Sequence, residues 1–428
     1  MKFLVVGQSV RNIACSAVRA GHTVLAADCY CDLDLISSVH QAVLLGDPRF
    51  RSQSALKGDV LELVEVHCPD AVVLGPGLED LTLEGVTVLN NRPLQFSRVS
   101  DKLWLARWLE RRGFPVVPTR PFGSHLPLPF VVKPRRGAGG QGCRLVSGQA
   151  GEGDEETTGH KKRADGKEGR KKRVDGERDG GVWEDDERQD RGRDGARTED
   201  GRAEQGEPLE GQSLYGGQLI VQPFLEGTPA SASVLGDGEE AVTLAVNEQL
   251  IGLSWAGGSG FRYCGNITPL DPGLGRGAVE DMARMAEEIV SGLGLVGSNG
   301  VDFLATDEGP VVVEVNARFQ GSLDTVELAF GVNLFQAHLE AFAGRLPQSS
   351  SGEASCRTVA GRAVIYAHQD LTVDRDLRCI VEGATDIPAP GSRIMQGEPL
   401  TSLQATGRDR AAVLEELKNQ AARLKSSP

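Results

Sequence analysis

The sequence predicts an α/β chain that passes into α+β beyond its N-terminal part, and three observations carry that reading. Strands alternate with helical spacing at the start; a glycine-rich stretch, "FVVKPRRGAGGQGCRLV", lies between two extended runs; and the apolar strand in "VVVEVNARFQGS" (Val311–Ser322) ends in an acid, an amide and a guanidinium at two-residue steps. Phe3–Val6 reads as a strand, Arg11–Ala20 as a helix stopped by Gly21, and Thr23–Ala27 as a second strand reaching Asp28. The apolar runs in "QAVLLGD" and "DAVVLGPG" continue the series, so βαβ units with a parallel sheet are expected. The first turn, "GQSVRN", does not match GxGxxG, which argues against dinucleotide binding. The carboxyl ends of such strands still form a natural ligand crevice.

Asp101–Arg112, "DKLWLARWLERR", has the pattern of an amphipathic helix stopped by Gly113, and "FPVVPT" and "LPFVVKP" read as extended. The pattern then breaks. In Gly151–Glu207, 33 of 57 residues are charged, 19 acidic and 14 basic. Such a segment buries too little apolar surface to offset its ordering entropy, so disorder is expected there. Its KKR clusters are interleaved with acids, which favours a solvated linker over a nucleic-acid arm. Regular structure resumes with "GGQLIVQPFLEG" as a strand entering a turn and "EAVTLAVNEQLIGLSW" as two strands around a turn. "AVEDMARMAEEIVSGLG" reads as a helix, "GVDFLATDEGPVVVEVN" as a hairpin around "DEGP", and "DTVELAFGVNLFQAHLEAFAG" as helical. After the serines Ser349–Ser351 come a strand ("GRAVIYA"), a proline-rich loop ("DIPAPGS") and a closing helix ("DRAAVLEELKNQAARL").

The chain's 428 residues imply two or three domains. A net charge of -14 argues against general binding to nucleic acid or an anionic membrane. No apolar run approaches the ~20 residues of a spanning helix, and the short apolar run in "MKFLVVGQS" is no signal h-region, so a cytoplasmic location is expected. Eight scattered cysteines lack zinc spacing, and most of them read as buried thiols of a reducing compartment.

Gly137, Gly139 and Gly142 satisfy G-x-G-x-x-G, with Gly140 between them, but strands flank the motif on both sides. That excludes a Rossmann turn and suits either a hairpin flap over phosphates or an ordinary glycine-rich hairpin. Lys133, at the end of the preceding strand, is placed to meet phosphates as a point charge. In the later hairpin, Glu314, Asn316 and Arg318 share one face by alternation. Antiparallel pairing adds Asp302 to that face if the loop at "DEGP" has an odd length, three or five residues. Three oxygen donors form a hard-cation set suited to Mg²⁺ or Mn²⁺, and Arg318 can neutralise a phosphoryl group as a catalytic residue.

The order of Lys102, Lys133 with its glycine loop, "IVQPFLEG", and "VDF…VEVNARFQGS" resembles the ATP-grasp superfamily of ligases, in particular predicted ATP-dependent carboligases of methanogenic archaea related to biotin carboxylase. The resemblance implies a Rossmann-like domain over residues 1–92, a two-lobe ATP-grasp domain over 93–346 holding a disordered insert at 151–207, and a small C-terminal α/β subdomain over 355–428. It implies that Lys102 and Lys133 bind ATP phosphates beneath the Gly137–Gly142 loop, and that backbone groups among Val221, Gln222, Phe224 and Leu225 hold the adenine. Gln222 stands where the superfamily's adenine hinge usually has an acid, and Glu226 is the candidate for the ribose. Asp302, Glu314 and Asn316 would hold the metal. The implied reaction joins a small carboxylate to an amine or thiol through an acyl phosphate, turning ATP into ADP and phosphate. A regulatory ATP-binding protein and a biotin carboxylase-like carboligase are the alternatives. Arg262 and Tyr263 in "GGSGFRYCGN" are candidates for the acid substrate, or else simply pack their loop.

Overall fold

The computed structural model describes residues 1–46, 51–147, 218–271, 273, 276–347 and 356–426. They fall within one unit formed by Met1–Gly148 and Gly211–Pro428; a second unit, Gln149–Glu210, lies outside the described residues, as does the charged insert.

The N-terminal strands β1 (Lys2–Gly7), β2 (Thr23–Asp28), β3 (Gln41–Leu44) and β4 (Ala71–Leu74) pair in the order β3-β2-β1-β4, all parallel, as the alternation predicts. Helices cover such a sheet, so β1 and β4 are unbroken apolar runs buried along nearly their whole length. The helix Arg11–Arg19 follows β1 directly, and its Ile13, Ala14 and Ala17 pack against Phe3 and Val5. This places the β1–helix turn at the carboxyl edge of the sheet.

Four short strands, β5 (Arg120–Pro121), β6 (Phe130–Pro134), β7 (Arg144–Val146) and β8 (Leu219–Pro223), form an antiparallel sheet in the order β5-β8-β6-β7. The glycine-rich stretch is the β6–β7 connection. The larger sheet contains β9 (Thr228–Asp237), β10 (Ala241–Ile251), β11 (Tyr263–Thr268), β12 (Val296–Thr306), β13 (Gly309–Asn316) and β14 (Val359–Tyr366). Beyond these, β15 (Leu371–Thr372) pairs with β17 (Arg393–Ile394), while β16 (Ala384–Thr385) and β18 (Pro399–Gly407) return to the large sheet. Its order is β13-β12-β9-β10-β11-β14-β18-β16, so the C-terminal strands extend the central sheet.

Two layers cover that sheet. The helices Lys102–Glu110 and Arg276–Gly292 bring Trp108, Met282 and Ile289 onto one side with Val234, Phe303 and Val312. Phe319, Val326 and Phe335 join Phe3 and Val5 of the N-terminal sheet in a second core. Asp101 starts the first of these helices by accepting from Leu103 N and Trp104 N at 3.1 and 3.2 Å, and Gly113 ends the following turn at φ +76°.

One sequence expectation is corrected, and another is made more specific. "EAVTLAVNEQLIGLSW" holds one long strand, β10, rather than two; Asn247, Glu248 and Gln249 look like a turn in sequence but stay in the ladder, because Asn247 donates to Ser231 and Ser233. The helical pattern after Asp324 is two helices, Leu323–Phe330 and Leu334–Phe342, divided at Gly331, which adopts φ +68°.

Candidate active site

The β12–β13 hairpin closes with a two-residue turn, since Thr306 pairs with Gly309. That even length corrects the odd-loop expectation, and taken alone it would set Asp302 opposite Val313. A bulge between Asp302 and Phe303 in the pairing leaves Val313 unopposed, so Asp302 faces Glu314 directly and Gly300 faces Asn316. Convergence of the three oxygen-bearing side chains is thus achieved by a bulge rather than by the loop. Asn316 Nδ2 donates to Asp302 Oδ2 at 3.1 Å, and Arg318 Nη2 donates to Asn316 Oδ1 at 3.1 Å. Arg318 is also anchored from the loop after β4, its Nε lying 2.9 Å from Glu79 Oε1.

The two carboxylates respond differently to burial. Burial and the charge on Glu314 raise the Asp302 carboxyl. Burial pushes Glu314 upward as well, but Lys102 and Lys133 outweigh it and hold Glu314 below the usual carboxylate range. Lys102 Nζ lies 2.9 Å from Glu314 Oε2 and donates to Gly137 O at 2.6 Å, tying the flap to the hairpin. Lys133 is only 6% exposed, and burial lowers it to about 8. Its ammonium has no hydrogen-bond or ion-pair partner among the described residues. The flap lies on the Phe261–Tyr263 loop: Tyr263 N donates to Gly139 O at 3.3 Å, and a Cβ on Gly140, at φ +74°, would meet Phe261 O at 1.9 Å. Only glycine fits there.

These groups open into one cleft of about 910 Å³, which residues of the N-terminal segment also line. At one end Gln222, Phe224, Leu225 and Glu226 line it with Val117, Val131 and Leu304. Gln222 donates from Nε2 to Thr119 Oγ1 at 2.7 Å, and Thr119 donates to Val117 O at 2.9 Å, which leaves the Gln222 carbonyl as an acceptor. At the other end lie Ser9, Asn12, Tyr263, Gly321, Arg362 and Asp386.

Residues 189–322 match the ATP-grasp domain family, the match beginning inside the undescribed stretch. The biotin carboxylase domain of 2-oxoglutarate carboxylase from Hydrogenobacter thermophilus superposes with a TM-score of 0.67 at 14% identity, covering 99% of this chain and 89% of that one. Over residues 189–322 the chain is similar to ATP-grasp domains. An L-amino acid ligase from Bacillus licheniformis superposes with a TM-score of 0.62 at 16% identity, over 99% of this chain and 98% of its own. In sequence, an uncharacterized protein of Methanocaldococcus jannaschii is 26% identical over 187 residues, 44% of this chain and 42% of that protein. An L-propargylglycine–L-glutamate ligase of Streptantibioticus cattleyicolor is 33% identical over 156 residues, 36% of this chain and 28% of that enzyme. These matches span less than half the length of either relative.

Most of the residues singled out from sequence meet in this cleft: Lys102, Lys133, Gly137, Gly139, Gly140, Gln222, Phe224, Leu225, Glu226, Tyr263, Asp302, Glu314, Asn316 and Arg318 all line it. Three do not. Gly142 turns against Pro134, and the side chain of Val221 is buried in the small sheet. Arg262 points away, donating from Nη1 to Gly397 O at 2.8 Å with its guanidinium 4.7 Å from the Tyr366 ring centroid. Arg362, Asp386 and Glu79 are the functional candidates missed in sequence. A lone Arg in "GRAVIYA" and a lone Asp in "DIPAPGS" carry no local signal, because their pairing is made across the fold.

The donor set fits a divalent cation and a polyanion. No group of three or more His, Cys, Asp or Glu is arranged for a metal among the described residues; the cation set here is two carboxylates and an amide, all oxygen donors. Lys133 supplies the complementary signal, a buried cation that shares the charge of Glu314 with Lys102 and has no hydrogen-bond or ion-pair partner of its own among the described residues.

Proposed function

We propose that the protein is an ATP-dependent ligase that joins a carboxylate to an amine, converting ATP to ADP and phosphate. The observation that carries this reading is the convergence in one cleft of two lysines, a glycine flap, two carboxylates, an amide and an arginine. In it, Lys102 and Lys133 bind the nucleotide's phosphates, with Lys102 also holding the flap through Gly137. Asp302, Glu314 and Asn316 hold Mg²⁺, which when bound would neutralise phosphate oxygens. Arg318, fixed by Glu79 and Asn316, offers positive charge to the transferring phosphoryl group.

The substrate carboxylate oxygen forms a bond to the γ-phosphorus as the bond to ADP breaks. The amine nitrogen then attacks the acyl carbon, phosphate leaves with the C–O electron pair, and the amine proton passes to phosphate or solvent. Positioning and charge neutralisation suffice, and no side-chain nucleophile is required. The two amino-acid ligases among the similar proteins favour a carbon–nitrogen bond. The biotin carboxylase neighbour, solved with bicarbonate, makes bicarbonate an alternative first carboxylate.

The test is chromatography of the spent nucleotide while carboxylates, bicarbonate and amines are supplied in pairs. ADP and phosphate are expected, with Glu314→Gln lowering turnover by about 100-fold or more, the range seen when a transition-state electrostatic group is removed. AMP and pyrophosphate as first products would overturn the acyl phosphate route.

A further inference from the structure

The cleft has a second charged end that the nucleotide side does not use. Arg362 on β14 and Asp386 after β16 lie side by side there, Arg362 Nη2 donating to Asp386 Oδ2 at 2.6 Å, and both line the cleft. Neither is saturated by the protein. A guanidinium has five N–H donors. Nη2 of Arg362 reaches Asp386 and Ser402, Nη1 makes one long contact of 3.4 Å to Gly321 O, and the buried Nε has no acceptor among the described residues. The Asp386 carboxylate accepts from Arg11 Nε on Oδ1 at 2.9 Å and from Arg362 on Oδ2, which leaves further lone pairs on each oxygen.

The backbone holds this pair in place. Asp386 adopts φ +53°, a left-handed conformation unusual for a side-chain-bearing residue. Asp34 fixes it by accepting from the N–H groups of Asp386 and Ile387 at 2.9 and 3.0 Å. Beside Arg362 the chain presents no side chain at Gly321: a Cβ there would lie 3.3 Å from Tyr263 Oη and 3.8 Å from Arg362 Nη1.

A cation and an anion fixed 2.6 Å apart in one wall discriminate by charge pattern. A lone carboxylate gains from Arg362 what it loses to Asp386, and a lone ammonium the reverse. A molecule carrying both charges on neighbouring atoms gains from both. We infer that this end of the cleft binds a zwitterionic α-amino acid as a substrate, carboxylate toward Arg362 and ammonium toward Asp386. The ligase reading above supplies the reaction that follows, whereas the binding stands on the geometry alone.

The experiment is calorimetric titration of the full chain with the twenty common L-amino acids, with and without Mg²⁺ and a non-hydrolysable ATP analogue. Each binder is compared with its deamino acid and its decarboxylated amine. At least one amino acid is expected to bind about tenfold or more tightly than both counterparts. Asp386→Asn should weaken it by about tenfold or more. Because Asp386 also holds Arg11, a second variant keeps the test clear: Gly321→Ala removes no charge, and should abolish amino-acid binding while ATP-analogue affinity stays within about twofold. The inference is overturned if no amino acid binds in either condition, if a deamino acid binds equally well, or if Gly321→Ala binds like the parent. Loss of ATP-analogue binding by the parent chain would instead count against the ligase reading, since the nucleotide-free titrations are read separately.

Discussion

Two buried cations lie against this cleft and are treated in opposite ways. Arg11, 4% exposed, donates to Asp324 through both Nη atoms at 3.1 and 2.7 Å and to Asp386 at 2.9 Å, with Asp34 at 3.5 Å. Burial disfavours its charge, but Asp324 and Asp386 outweigh that and raise its pKa further. Lys133, 6% exposed, has no such partner, and burial prevails, lowering it to about 8. The difference separates structure from function. Arg11 clamps the first helix to the helix at Asp324 and to the C-terminal segment at Asp386, and needs nothing further. Lys133 carries a charge that the fold has desolvated and that Glu314, itself paired with Lys102, offsets only in part; a phosphate group would supply the missing anion.

The strongest way to break this comparison is to remove the clamp. Arg11→Met strands Asp324 as a buried carboxylate, whereas Asp386 keeps Arg362, and breaking a buried pair in this way costs about 3–5 kcal/mol. Urea unfolding should show a loss of that size. A loss below about 1 kcal/mol, the scale of a surface pair, would show that Arg11 is not a structural charge at all.

A third buried titratable group sharpens the comparison through pH. His338 is 2% exposed, accepts at Nδ1 from Ser298 N at 2.9 Å, and approaches Leu89 O with Nε2 at 3.0 Å. Both bonds suit the neutral ring, and burial lowers it to about 4. A depressed histidine means that the unfolded chain binds the proton more readily, so its contribution is complete above the ordinary value near 6.5 and is lost as pH falls through 4. The shift corresponds to about 3 kcal/mol between those limits. His338→Gln should flatten the pH dependence of unfolding over that window; an unchanged slope would remove the assignment.

The smallest stability effect is expected at Lys133 itself. Lys133→Met replaces an unpaired buried charge with an apolar chain of similar length. Without nucleotide it should leave unfolding within about 1 kcal/mol of the parent, or slightly stabilise it. Destabilisation as large as that of Arg11→Met would place Lys133 with the structural charges.

How far the sequence revealed this depends on whether a signal is local. The parallel N-terminal sheet, the glycine flap between strands and the acid–amide–arginine strand end were legible because each is written within one stretch. The bulge at Val313 was not: one unopposed residue in a run of valines has no distinct composition, so the right convergence was assigned to the wrong loop. Arg11 and Asp386 lie 375 residues apart, and no periodicity announces such a pair. Arg262 was chosen over Arg362 because it sits in a loop beside Tyr263, whereas Arg362 lies inside an apolar strand and is turned into the cleft by the β11–β14 pairing.

The central claim is that the uncompensated charge marks the nucleotide end of the cleft. Titrating the parent chain and Lys133→Met with ATP in the presence of Mg²⁺ tests it directly, with urea unfolding of both proteins alongside. The account predicts that the parent binds ATP, that the variant loses affinity by about tenfold or more, and that nucleotide-free stabilities agree within about 1 kcal/mol. Equal ATP affinity in the two proteins would contradict it.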